Sequence, residues 1–111
     1  MLTQDGGCPK SILAIKDAIE TMDGRWKLPI LISLSAGTKR FKEIAKDVQG
    51  ISDKMLSKKL KELELNKLIT REVSELSVVE YSITEHGKSL EKVMKELYDW
   101  GLEHRRQIIG K

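Results

Sequence analysis

The sequence predicts a mainly α-helical fold with a small β-hairpin, and three observations carry that expectation. Apolar residues recur at helical spacing over most of the 111 residues. Residues 68–84 break that period with two β-branched, partly alternating runs, 68–73 and 78–84, separated by Ser74-Glu75-Leu76-Ser77. Directly before them, residues 51–66 (ISDKMLSKKLKELELN) form an amphipathic helix around which the rest of the chain is organised.

In that helix Leu56, Leu60 and Leu63 fall on one face, and Lys54, Lys58 and Lys61 line the opposite one. Lys54, Lys58, Lys59 and Lys61 precede Glu62 and Glu64. A helix built only for stability prefers acids first and bases last, each worth roughly 0.3–1 kcal/mol. Only Asp53 follows that rule. Cations at the positive end of a helix imply an anion to meet there, and the stretch reads as a DNA recognition helix. The bland alternative is a solvated lysine face, and the rest of the chain weighs against it.

With 40% hydrophobic residues the chain supports one domain, 1–111, with a modest core. Two Trp, two Tyr and one Phe leave that core mainly aliphatic. The net charge is +3 and unevenly spread. Residues 38–72 hold ten Lys or Arg against six acids, which points to a polyanionic partner. No apolar run approaches the ~18–20 residues that span a bilayer. The first ten residues, MLTQDGGCPK, lack the features of a signal peptide, and the single cysteine fits a reducing compartment. A cytoplasmic protein with no membrane partner is expected.

Taken in order, Pro9 suits the first turn of an opening helix over 9–22, where its missing N–H costs nothing. Ile12, Ile15, Ile19 and Met22 give its apolar face, and Asp23-Gly24 ends it. Residues 25–35 (RWKLPILISLS) read as a buried second helix closed by Ala36-Gly37. Pro29 requires either a start near Trp26, which keeps the proline in the first turn, or a bend. A short extended segment at Lys39-Arg40-Phe41 leads to a third helix with Phe41, Ile44, Ala45 and Val48 inward. Gln49-Gly50-Ile51 turns the chain, and Ser52 caps the fourth helix. Helix, glycine turn and basic helix over 41–66 make a helix-turn-helix, and the hairpin over 68–84 behind it is a wing. Thr84 caps a long last helix over 85–108, in which Leu90, Val93, Met94, Leu97, Trp100, Gly101 and Leu102 form a broad apolar band. A winged helix-turn-helix domain has its core without that band. The last helix is therefore expected to meet a partner chain, most simply a second copy of this one, the alternative being a helix packed back on its own domain.

These residues resemble the HxlR-type bacterial transcription regulators, relatives of the MarR group. The shared pattern runs through Cys8-Pro9, Gly24-Arg25-Trp26-Lys27, Arg40-Phe41-Lys42-Glu43-Ile44, Gly50-Ile51-Ser52 and Leu68-Ile69. It closes with Glu80-Tyr81-Ser82-Ile83-Thr84-Glu85, Gly87 and Trp100-Gly101. The resemblance implies a homodimer held by the first and last helices, here through Ile12, Ile15, Ile19, Leu90, Val93, Met94, Leu97, Trp100 and Gly101, which represses or activates nearby genes from an operator. It also implies that a cysteine placed like Cys8 can sense electrophiles, quinones or oxidants. Two departures stand out. Many relatives carry Gly where this chain has Lys67, and Asn66 is expected to supply the left-handed turn instead. The wing tip, Ser74-Glu75-Leu76-Ser77-Val78, has no basic residue and one acid, which leaves Arg71 on its stem.

An enzyme is not expected. No Cys/His metal spacing, glycine-rich phosphate loop or Ser–His–Asp arrangement is present, and no cofactor is implied. His86 and His104 read as surface residues, and Trp26 and Trp100 as core and interface anchors. Cys8 lies before a helix start and near Lys10, a setting that favours thiolate. The function expected is a DNA-binding transcriptional regulator, a homodimer on a palindromic operator, with a redox or electrophile response through Cys8. Ser52, Lys54, Ser57, Lys58 and Lys61 are the candidates for groove and phosphate contacts. Lys39, Arg40, Lys42 and Arg71 join them at the backbone. A small-molecule effector between the last helix and the winged domain is compatible with this reading. The competing class is a winged-helix protein–protein interaction module without its own operator.

Overall fold

The computed structural model describes residues 9–22 and 24–110. Cys8, the candidate sensor, lies outside them. The chain forms α1 (Pro9–Thr21), α2 (Lys27–Ser35), α3 (Phe41–Asp47), α4 (Asp53–Leu65), β1 (Ile69–Val73), β2 (Val79–Ile83), α5 (Glu85–Lys88) and α6 (Glu91–Ile109). β1 and β2 pair antiparallel, Ile69 opposite Ile83 and Val73 opposite Val79. Lys39 adds a one-residue bridge to Tyr81 on the other side of β2. This is the winged helix-turn-helix architecture expected.

One aliphatic core holds the winged part together. Ile30, Leu31 and Leu34 of α2 meet Ile44 and Val48, Leu56, Leu60 and Leu63 of α4, and Leu68, Ile69 and Tyr81 from the hairpin side. Each fully buried aliphatic side chain contributes roughly 1.5–3 kcal/mol. Pro29 sits in the first turn of α2, because that helix begins at Lys27. The start near Trp26 is thus the correct one of the two options.

Two local expectations need correction. The last helix is broken in two at Ser89-Leu90. Thr84 Oγ1 caps only α5, accepting from the Gly87 N–H at 2.9 Å, and Leu90 N–H then bonds the Gly87 carbonyl in a tighter three-residue turn. The α5 backbone lies so close to the residue before β1 that a Cβ on Gly87 would fall 2.3 Å from the Leu68 carbonyl oxygen.

The second correction concerns the end of α4. Asn66 keeps φ −86, and Lys67 itself takes the left-handed conformation at φ 64. Leu68 N–H bonds the Leu63 carbonyl and Lys67 N–H the Glu64 carbonyl, both at 3.0 Å. That pair of bonds requires the left-handed residue one place after the cap, whichever side chain stands there.

The terminal helices lie outside the core, and no residue of α1 or α6 is buried. The radius of gyration is 16.5 Å, against about 13 Å for a compact chain of this length.

Candidate nucleic-acid interface

The site is built on α4. Ser52 Oγ accepts the Met55 N–H at 3.1 Å and fixes the start of the helix. Leu56, Leu60 and Leu63 anchor its inner face in the core. Lys54, Ser57, Lys58 and Lys61 are therefore turned outward and exposed. Among the described residues none of these three lysines forms an ion pair. Lys59 differs, since it lies half-buried with its ammonium 3.3 Å from Glu62.

Behind the stripe, Glu62 also meets Lys27, a buried lysine of α2, at 3.4 Å. Lys27 Nζ donates in addition to the Glu20 carbonyl at 3.4 Å, in the last turn of α1. Burial pushes the Glu62 carboxyl up, but hydrogen bonds from Lys59 and Lys27 outweigh it and hold the group below its ordinary value. Sequence reasoning missed this junction. Its one signal was a lysine at the head of an otherwise apolar helix.

The hairpin rises beside α4. Ser57, Leu60, Lys61 and Glu64 of α4 face Arg71 and Tyr81 across a cleft of about 460 Å³. Arg71 stands opposite Tyr81 in the strand register, and Glu72 stands opposite Glu80. Alternation along the strands puts these two pairs on opposite faces. At the tip, Ser74 Oγ accepts from the N–H groups of Leu76 (3.3 Å) and Val78 (3.2 Å), and Leu76 is 86% exposed.

On the other side of the hairpin, Arg40 and Lys42 line a second cleft with Phe41, Val79 and Glu80. Arg40 N–H donates to the Glu43 carboxylate at 2.8 Å, which caps α3. Lys39 is paired within the domain. Its ammonium is bound to the Asp47 carboxylate and to Ser33 Oγ at 3.3 Å, and Ser33 also donates to Asp47 at 2.8 Å. Lys39 and Ser33 hold the Asp47 carboxyl below its usual range. Lys39, expected at the DNA backbone, thus carries an ion pair that Lys54, Lys58 and Lys61 lack among the described residues.

The interface candidates on the terminal helices are mostly open. Ile12, Ile15, Ile19, Val93, Leu97 and Trp100 are exposed. Met94 is half-buried, and a Cβ built on Gly101 meets nothing within 4 Å. Leu90 is the exception: it packs against the domain's own core from the turn between α5 and α6. Trp100 stacks on His104 with ring centroids 4.8 Å apart. Trp26 packs against the core with Arg25 above its ring at 4.7 Å. Among the described residues no group of three His, Cys, Asp or Glu is placed to hold a metal ion, and no helix is long and apolar enough to cross a membrane.

Comparison with known proteins bears on this geometry. The profile of the HxlR-like helix-turn-helix family matches residues 21–108. The HTH-type transcriptional regulator YtcD of Bacillus subtilis is 35% identical over 100 residues, covering 88% of this chain and 79% of the relative. YodB, another such regulator from that organism, is 39% identical over 95 residues, 84% and 81% of the two chains. Its reduced form superposes with a TM-score of 0.75 at 37% identity, covering 90% of this chain and 92% of that one. YodB has also been solved diamide-treated and quinone-bound. A MarR-family regulator structure from Enterococcus faecalis V583 matches with a TM-score of 0.78 at 33% identity, over 89% and 92% of the chains. All three are transcriptional regulators by name.

Proposed function

The chain belongs to the HxlR-like helix-turn-helix family, and from that membership we propose a regulator that binds a palindromic operator as a homodimer. The observation that carries the reading is the outer face of α4. Lys54 is exposed at the positive end of its own helix, Lys58 and Lys61 continue the same exposed face, and no carboxylate among the described residues pairs with them. A duplex phosphate backbone supplies the missing anion. Ser52, Lys54 and Ser57 address base edges, Lys58 and Lys61 the backbone, and Arg40, Lys42 and Arg71 flank them.

A salt titration tests this. Each lysine that neutralises one phosphate per half-site adds about 0.9 to the slope of log affinity against log salt. Lys58→Ala flattens the slope and leaves folding intact. Lys54→Ala weakens the specific site more than mixed-sequence DNA. Unchanged slopes and affinities in folded variants make the stripe a solvated face.

The second class, a protein–protein module without an operator, draws on the acidic, apolar wing tip. It predicts no affinity for mixed-sequence duplex even at low salt.

A redox or electrophile response is part of the proposal. It rests on Cys8 before Pro9 and on the diamide-treated and quinone-bound forms of YodB. Cys8→Ser keeps DNA binding and loses the response to diamide. A wild type with no response removes this part of the reading.

A further inference from the structure

The two faces of the hairpin differ in charge. On the face toward α4, Arg71 shares a cleft with Lys61 and the Ser57 hydroxyl, and among the described residues neither cation forms an ion pair. Glu64 lines the same cleft without closing a salt bridge to Arg71. On the opposite face Glu72 and Glu80 are directly paired across the strands, and both are exposed. Like charges in that position weaken a hairpin. At the apex Glu75 and Leu76 are presented on a turn that Ser74 holds by two hydrogen bonds. The far half of the hairpin thus carries three carboxylates and no cation of its own, although Arg40 and Lys42 line the cleft beside Glu80.

The tip, with Glu75 and no cation, repels phosphate, and the cleft beside α4 attracts it. A minor groove is a region of negative potential, commonly entered by Arg or Lys, and this tip offers neither. We propose that the α4–β1 cleft is a phosphodiester site, in which Lys61 and Arg71 hold one backbone phosphate between helix and hairpin stem, while the tip stays out of the groove. The inference rests on the DNA-binding reading and deepens it. The cleft walls come from different elements, α4 and the hairpin, so the seated phosphate sets the angle at which α4 meets the duplex.

The test uses the full chain and a mixed-sequence duplex probe, with salt titrations of wild type, Arg71→Ala, Lys61→Ala, the double variant, Glu75→Lys and Lys58→Ala. If the cleft shares one phosphate, Arg71→Ala and Lys61→Ala each flatten the slope. The double variant then loses about as much as the worse single one, close to 0.9 per half-site. Glu75→Lys leaves the slope within error of wild type because the tip is remote from phosphate. Strict additivity of the two losses overturns the shared site, as does an unchanged slope in Arg71→Ala. A steeper slope in Glu75→Lys overturns the withdrawn tip. In each of those cases a normal loss in Lys58→Ala shows that DNA binding itself still stands. A wild type without affinity removes both readings together. Circular dichroism of each variant excludes loss of folding as the cause.

Discussion

The Lys27 ammonium stands 3.4 Å from the Glu62 carboxylate, joining the second helix to the rear of the lysine-striped helix. The same ammonium reaches the Glu20 carbonyl, so one buried cation ties α1, α2 and α4. Lys59 completes the group on the α4 side.

Unequal costs follow for the two partners. Lys27→Met keeps the apolar stem and leaves Glu62 with Lys59, so it destabilises by about 1 kcal/mol. Glu62→Gln leaves a buried ammonium with neutral acceptors and no countercharge, and costs about 1–3 kcal/mol. The pH dependence has a definite sign. A carboxyl held below its ordinary value of 4.5 contributes stability above that pH and loses it as pH falls through the folded value. Urea unfolding at neutral pH and near pH 4 checks both points. Glu62→Gln loses less stability than wild type between them, and equal losses would assign the acid sensitivity to other carboxylates.

At the other end of α4, Lys67→Gly stabilises. Lys67 holds φ 64, a conformation that costs a side-chain-bearing residue about 1 kcal/mol and glycine almost nothing. Glycine's larger unfolded-state entropy takes back part of the gain. A net of about 0.5 kcal/mol, or roughly 2–4 °C in melting temperature, is expected. Both backbone bonds that close the helix survive the change. A lower melting temperature would mean that the Lys67 side chain makes a compensating contact.

Gly87→Ala has the opposite sign. The added methyl falls 2.3 Å from the Leu68 carbonyl oxygen and 2.6 Å from Ile83 Cγ1. That carbonyl already accepts from the Thr84 hydroxyl and the Thr84 N–H, each at 3.0 Å, so it cannot yield without breaking the junction of α4, hairpin and α5. A loss of about 2–3 kcal/mol is expected by chemical denaturation. A loss under about 0.5 kcal/mol would show that α5 shifts freely on the hairpin.

Features that depend on local spacing were legible in the sequence. Leu56, Leu60 and Leu63 share a face because of helical period, Ser52 caps because of its hydroxyl, and residues 68–84 pair because they are β-branched around a polar turn. Features set by contact between distant segments were not. The close approach of the Leu68 carbonyl to Gly87 is one such feature, which only the folded chain brings about. Lys39 looks like any basic residue beside Arg40 until α3 brings Asp47 to it. Lys67 looks a poorer left-handed residue than Asn66, and the bonding register at the helix end overrides that preference.

The terminal helices supply the last prediction. Leu97 is 49% exposed and Trp100 67%, and α6 as a whole buries no residue. On α1, Ile12, Ile15 and Ile19 line an apolar groove with the stems of Lys16 and Glu20. Two apolar helices left open on an extended chain match the seam of a symmetric dimer, in which each copy covers the other. Leu97→Glu places a carboxylate in that seam while touching none of the winged core. The expected outcome is a monomer that keeps its helical signal and loses affinity for paired half-sites far more than for a single one. Sedimentation velocity across a concentration series, with half-site and full-site duplexes in parallel, checks both parts. A variant that sediments as a dimer with unchanged affinity would place the contact elsewhere than α6. An already monomeric wild type would remove the dimer from the proposed function.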